Sequence, residues 1–323
     1  MKSALGAIIA RLPASPGVYR FRDVRGRTLY IGRASVLRQR VGSYWGDLRD
    51  RRHLRRMVPQ VARIEAVACD SVHEASWLER NLLEQAKPRW NRVRGGAEVP
   101  VYIRLDHTAR APRLSVEHWP VTAGPGDDFG PYLGGTQARL AVSALDRVLP
   151  LRYTDDRLAG GSKDLARVRG IGNADRERLL STVTGVLQRR QNDIETVRAQ
   201  LVQLRDRASE NLAFELAARL QAEIEAIAWI VAEQKVTQLF PAADAEVYGW
   251  DDGLLVTFRI RGGRLCYWEL RSCGRPAAQP FLERTSPAWS AFAARAAELG
   301  RRLTDPSQDG RPNGHFVPGF WEM

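Results

Sequence analysis

The 323-residue chain is poor in cysteine, in lysine and in long apolar runs. Its three cysteines, Cys69, Cys266 and Cys273, are scattered. They make neither a disulfide framework nor a spaced metal set, which suits a reducing cytosol. No stretch is long enough to cross a bilayer, so no membrane partner is expected. The apolar run at residues 3–10 is cut by Arg11, and no clear cleavage site follows. It reads as a first amphipathic helix, not as a signal peptide. Lysine occurs only at Lys2, Lys87, Lys163 and Lys235, so positive charge is almost all arginine. Acid is scarce at the start: residues 1–100 hold 20 Lys and Arg against 9 Asp and Glu, +11 of the chain's +12. A basic excess confined to one segment is the electrostatic footprint of a polyanion partner.

What is present reads as an α+β chain in four parts. Residues 1–96 form a small antiparallel sheet flanked by helices. Strands are expected at 17–22, 28–32 and 63–69, helices at 3–11, 35–43, 50–58 and 73–86, and Pro88 with Gly95-Gly96 marks the end. Residues 97–190 are a mixed α/β middle segment with strands in VPVYIRLD and RLSVEHW and a helix near 136–147; AGPGDD and LAGGSKD read as loops. Residues 191–238 form a helical hairpin. Val197, Leu201, Leu204 and Ala208 make one apolar stripe, and Leu220, Ile224, Ile227 and Val231 the other. Periodicity does not separate an internal hairpin from one that protrudes to dock a partner. Residues 239–323 are β-rich, with turns at Asp251-Asp252-Gly253 and Gly262-Gly263, a helix at 287–303 and a flexible polar tail.

Two tyrosine motifs carry the chemistry. PGVYRF holds Tyr19, LYIG holds Tyr30, and DVRGR between them is a turn signal. The pattern is a β-hairpin presenting two phenols close together. RASVLRQRVGSYW then spaces Arg33, Arg40 and Tyr44 by seven and four, one face of a helix. Arg40 can hold a phosphate through its guanidinium fork. EASWLERNLLEQAKPRWN carries Glu74, Glu79 and Glu84 on one helix. Metal-assisted phosphodiester cleavage needs at least one carboxylate for Mg²⁺, and the residues alone do not choose among the three.

SPGVYRF, LYIGRASVLRQRVGSYW and EASWLERNLLEQAKPRWN together resemble the GIY-YIG nuclease domain in its UvrC-type, excision-repair form, over most of residues 12–91. The resemblance implies that Tyr19, Tyr30, Arg33, Arg40, Tyr44, Glu79 and Asn91 are the site residues. Glu79 would be the ligand of one Mg²⁺ or Mn²⁺. Arg33 stands where the family has a lysine, and a planar fork is not a compact ammonium; with the metal it is expected to lower the phenol pKa of Tyr30. Arg38, Arg51, Arg52, His53, Arg55 and Arg56 are expected to meet DNA phosphates.

The likeness continues through PRLSVEH, DDFGPYLGG and LDRVLPLR. The family's four-cysteine iron–sulfur site has no cysteines here: Tyr153 and Val168 stand in that stretch, so no cluster is expected. VRGIGNADRERLL also mimics a helix-hairpin-helix DNA motif. SENLAFELAARL resembles the UVR motif that meets UvrB, which implies Leu212, Phe214, Glu215, Ala218 and Leu220 as a docking face. The motif's usual Arg-Asp pair is Gln221-Ala222 here. Fewer than 90 residues follow Lys235, too few for the family's second nuclease half. The implied activity is therefore a single 3′-side incision near lesions in double-stranded DNA, as in short Cho-type homologues, in a bacterial cytoplasm. Two alternatives stand beside it: a non-catalytic DNA-binding adaptor that docks UvrB, and a structure-specific nuclease independent of UvrB.

Overall fold

A computed structural model describes residues 2–46, 49–92, 98–107, 110–120, 126–238 and 243–304, with backbone only at 2–4 and 49–52. The chain starts with α1 (Lys2–Ala10), β1 (Gly17–Arg22), β2 (Thr28–Ala34), α2 (Leu37–Gly42), three 3₁₀ segments, β3 (Arg63–Ala68) and α3 (Val72–Gln85). The strands form an antiparallel sheet in the order β2-β1-β3. Asp23 builds the first turn: its carboxylate accepts the N–H groups of Arg25 and Arg27, both at 2.9 Å. Strand alternation then sorts the side chains. Tyr19 and Phe21 join Leu12, Leu37 and Val41 on one face, while Val18 packs with Val67, Trp77 and Leu78 on the other.

The segment 50–58, expected as an α-helix, is instead taken up by two 3₁₀ turns, Arg49–Arg56 and Val58–Gln60. It buries Leu54 and Met57 and leaves Arg55 and Arg56 exposed. Gly95, Gly96, the tail beyond 304 and the side chains of Arg51 and Arg52 lie outside the described residues.

The middle segment follows as β4 (Pro100–Asp106), β5 (Arg113–Glu117), β6 (Asp127–Leu133), α4 (Gly135–Val148), α5 (Gly160–Val168) and α6 (Arg176–Leu187). Its sheet order is β5-β4-β6. LAGGSKD is not a loop throughout: α5 begins at Gly160, whose φ of 56° lets the chain turn into the helix.

The expected hairpin is α7 (Gln191–Glu210) and α8 (Phe214–Val231). Its stem is internal. Val197, Leu201, Ala208, Leu220, Ile224 and Ile227 share one core with Ala138, Ala141 and Leu145 of α4. Leu220, read as a docking residue, is therefore a core residue, 2% exposed. The hairpin tip is different: Leu212, Phe214, Glu215 and Ala218 are exposed.

The last part is an antiparallel sheet of β7 (Ala245–Asp251), β8 (Leu254–Arg261) and β9 (Arg264–Ser272), with α9 (Arg275–Leu282) and α10 (Pro287–Leu303). The sequence reading lacked α9, because Pro276 and Pro280 mask its pattern. This part packs onto the first one. Phe258, Trp268 and Phe292 share a core with Val18, Val67 and Trp77. Burying each such Phe stabilises the fold by about 1.5–3 kcal/mol. Arg20 on β1 bridges the two parts. Its Nε donates to Glu65 at 2.7 Å, and its guanidinium lies 4.1 Å over the Trp268 ring. Among the described residues no helix is long and apolar enough to cross a membrane.

Candidate active site

Antiparallel register places Tyr19 opposite Gly32 and Phe21 opposite Tyr30. Three phenols then converge, with ring centroids 6.2 Å apart for Tyr19 and Tyr30 and 5.9 Å from Tyr44 to each. The hydroxyls of Tyr19 and Tyr44 share a hydrogen bond of 2.7 Å, and Tyr44 also bonds Tyr30. Gly32 makes the cluster possible. A Cβ there would lie 2.5 Å from the Tyr19 hydroxyl and 2.7 Å from the Tyr30 ring. The glycine of the second motif is thus a space requirement, a meaning that the motif alone does not disclose.

Tyr19 and Tyr44 are buried and Tyr30 is half-buried. Burial drives the pKa of Tyr19 and Tyr30 well above the ordinary phenol value, and Tyr44 adds to it in both cases. Arg40, which hydrogen-bonds Tyr19, pulls the other way. Its guanidinium also stands 5.8 Å from the Tyr44 ring centre. Arg33 is not among the main influences on Tyr30. Arg33 lies on β2, not on a helix face with Arg40 and Tyr44, because the strand runs on to Ala34 and α2 starts at Leu37. Its guanidinium turns to carboxylates: both terminal nitrogens donate to Glu98, at 3.0 and 2.8 Å, and Nε is 3.4 Å from Glu79.

Helix α3 separates the three glutamates. Glu74 is fully buried, and its carboxylate accepts the backbone N–H groups of Asp70 at 2.8 Å and Lys235 at 3.0 Å. Glu84 pairs with Arg80 and Arg264, each at 3.0 Å. Glu79 faces the phenols, close enough that its charge opposes ionisation of Tyr30. It accepts the Arg33 backbone N–H at 3.1 Å, and burial raises its pKa above the ordinary carboxylate value.

The free edge of β2 is closed by side chains. Asn91 accepts the Ile31 N–H at 3.0 Å and donates to the Ile31 carbonyl at 2.8 Å. Two residues on, Glu79 takes the N–H of Arg33. Asn91 thus holds the backbone next to Tyr30. Sequence reasoning missed Glu98, which lies beyond the matched motifs and has no spacing signal.

The expected phosphate contacts are partly placed. Arg38 is exposed on α2, although its Nε donates to the Leu12 carbonyl at 2.7 Å. His53 meets Arg92 at 3.0 Å. A hard divalent ion takes carboxylate oxygen and keeps several waters. Glu79, with 21% of its side chain exposed and arginines about it, is such a donor. No group of three or more His, Cys, Asp or Glu suited to a metal occurs among the described residues. Water and substrate oxygen would complete the shell, and the residues fit a divalent ion.

Comparison with known proteins matches residues 15–92 to the UvrC-like GIY-YIG domain. Residues 15–92 are thus a UvrC-like GIY-YIG domain. UvrABC system protein C of Synechococcus elongatus is 32% identical over 278 residues, 81% of this chain and 42% of the relative. That of Symbiobacterium thermophilum is 33% identical over 272 residues, 79% of this chain and 42% of the relative. The chain spans about two fifths of the length of these curated relatives. A solved structure, the GIY-YIG N-terminal endonuclease domain of UvrC from Thermotoga maritima bound to its catalytic magnesium, is 28% identical. It covers 28% of this chain and 99% of its own, with a TM-score of 0.26.

Proposed function

We propose that this chain is a metal-dependent DNA endonuclease of nucleotide excision repair that makes one incision, on the 3′ side of a lesion. The observation that carries the reading is Glu79, a carboxylate left open to a cation beside three bonded phenols and Arg40. Glu79 would hold one Mg²⁺ or Mn²⁺, which when bound supplies Lewis acidity toward the scissile phosphate and its leaving oxygen.

Burial keeps Tyr30 neutral at rest, so it first orients the attacking water by accepting its hydrogen bond. To act as base it must become phenolate. Burial, Tyr44 and the Glu79 charge oppose this, and Arg40 favours it. A cation held on Glu79 would offset one of the opposing contributions, the Glu79 charge. Arg40, half-buried beside the phenols, would stabilise charge developing on the phosphate. Asn91 and Gly32 keep Tyr30 in place. Arg38, Arg55, Arg56 and His53 would position the DNA backbone without reading its sequence. The exposed hairpin tip, with Leu212 72% and Phe214 64% exposed, supports docking to UvrB as a second task of the same chain.

The test is incision of lesion-bearing duplex with Mg²⁺, with and without UvrA and UvrB, mapping the nick. A 3′-side nick that disappears in Glu79→Ala is expected. Equal cutting by Glu79→Ala contradicts the mechanism, and binding without any nick favours the adaptor.

A further inference from the structure

We infer that Glu98 is a positioning residue of the nuclease site: it holds the Arg33 guanidinium off the Glu79 carboxylate and so keeps that carboxylate open to a divalent cation. The inference rests on the reading of Glu79 as the metal-binding carboxylate.

Arg33 has three directions in which to donate. Its two terminal nitrogens form a planar fork with the two oxygens of Glu98, at 3.0 and 2.8 Å. This is the bidentate geometry in which arginine binds carboxylate most specifically. Only Nε is turned toward Glu79, at 3.4 Å, longer than a charge-assisted bond. Glu98 is itself anchored from behind. Its carbonyl accepts Nη1 of Arg80, the residue after Glu79 on α3. One residue thus ties β2 to the catalytic helix at the edge of the site.

The consequence is electrostatic. A bare guanidinium this close to Glu79 competes with a cation for the same oxygens and repels it. With Glu98 in place the guanidinium is paired, and its fork points elsewhere. Without Glu98 the fork is free to rotate onto Glu79, whose two oxygens it already reaches through Nε and the backbone N–H. A lysine at position 33 would present no such fork and need no such restraint, so Glu98 answers a problem set by arginine.

The experiment is calorimetric titration of the full-length chain with Mn²⁺, for wild type, Glu98→Gln, Glu98→Gln/Arg33→Gln and Glu79→Gln, with thermal melts as a folding control. Glu98→Gln should weaken Mn²⁺ binding about tenfold, the range of outer partners of a metal ligand. Adding Arg33→Gln should restore it. Wild-type affinity in Glu98→Gln overturns the inference, as does failure of Arg33→Gln to restore it. Wild-type affinity in Glu79→Gln instead overturns the metal reading beneath it. Loss in Glu79→Gln with no change in Glu98→Gln leaves that reading standing and removes only the role of Glu98.

Discussion

At the start of α3 the Glu74 carboxylate is sealed from solvent, and two backbone N–H groups, from Asp70 and Lys235, occupy its oxygens. Five residues along the same helix, Glu79 meets one backbone N–H, a long contact to Arg33 and the phenol cluster. Burial raises the pKa of both, so the direction of titration does not distinguish them. What differs is whether the protein satisfies the carboxylate itself. Glu74 is consumed by the fold: it helps to fasten α3 to the chain entering the C-terminal part, where Asn81 also donates to the Val236 carbonyl at 3.0 Å. Glu79 is left with capacity to spare. On the proposed reading, one glutamate fixes the helix from which another holds the cation.

Substitutions should split these roles, and the largest effect falls on Glu79. Glu79→Ala should lower nicking about a thousandfold, as expected when a Lewis acid worth several kcal/mol is lost, with its melting curve unchanged. Tyr30→Phe should lower nicking about a hundredfold, the scale of general-base catalysis, again without loss of fold. Rates under single turnover check both. Glu74→Ala should reverse the pattern. It strands two buried N–H groups and should cost about 2–3 kcal/mol in urea unfolding, while the folded fraction keeps its rate. Asn91→Ala lies between: loss of both Ile31 bonds should cost about 1–2 kcal/mol, and nicking should fall because Tyr30 loses its support. If Glu74→Ala abolished nicking at full stability, the comparison would collapse.

The smallest effect concerns pH. On the proposed reading metal binding needs the Glu79 carboxylate, and burial holds its pKa above the usual value of about 4.3. Binding should therefore fail on acidification at a higher pH than for an ordinary glutamate. Arg33 opposes the shift, so Arg33→Gln should move the acid limb further up. A limb at the ordinary value would show that Glu79 is not the titrating ligand.

Much of this site was legible in sequence. Alternation in PGVYRF and LYIG gave the hairpin, and the strand 17–22 is as read. Other features depend on contacts far along the chain. Nothing near Glu74 announces the N–H of Lys235, and nothing near Glu84 announces Arg264, so three glutamates looked alike. Arg33 was set on a helix because its spacing to Arg40 and Tyr44 fits one, but strand pairing with Val18 outweighs a spacing. Leu220 fits both a core stripe and a docking stripe, and α4 decides it by covering the stem. The contact of Trp268 with Arg20 joins residues far apart in sequence, beyond any periodicity.

The most direct test is Mn²⁺ titration of three single variants, Glu74→Gln, Glu79→Gln and Glu84→Gln, in the full chain. Binding should vanish in Glu79→Gln and persist in the other two. Retained binding in Glu79→Gln, or its loss in a folded Glu84→Gln, would contradict the assignment of the metal to the one glutamate that the fold leaves open.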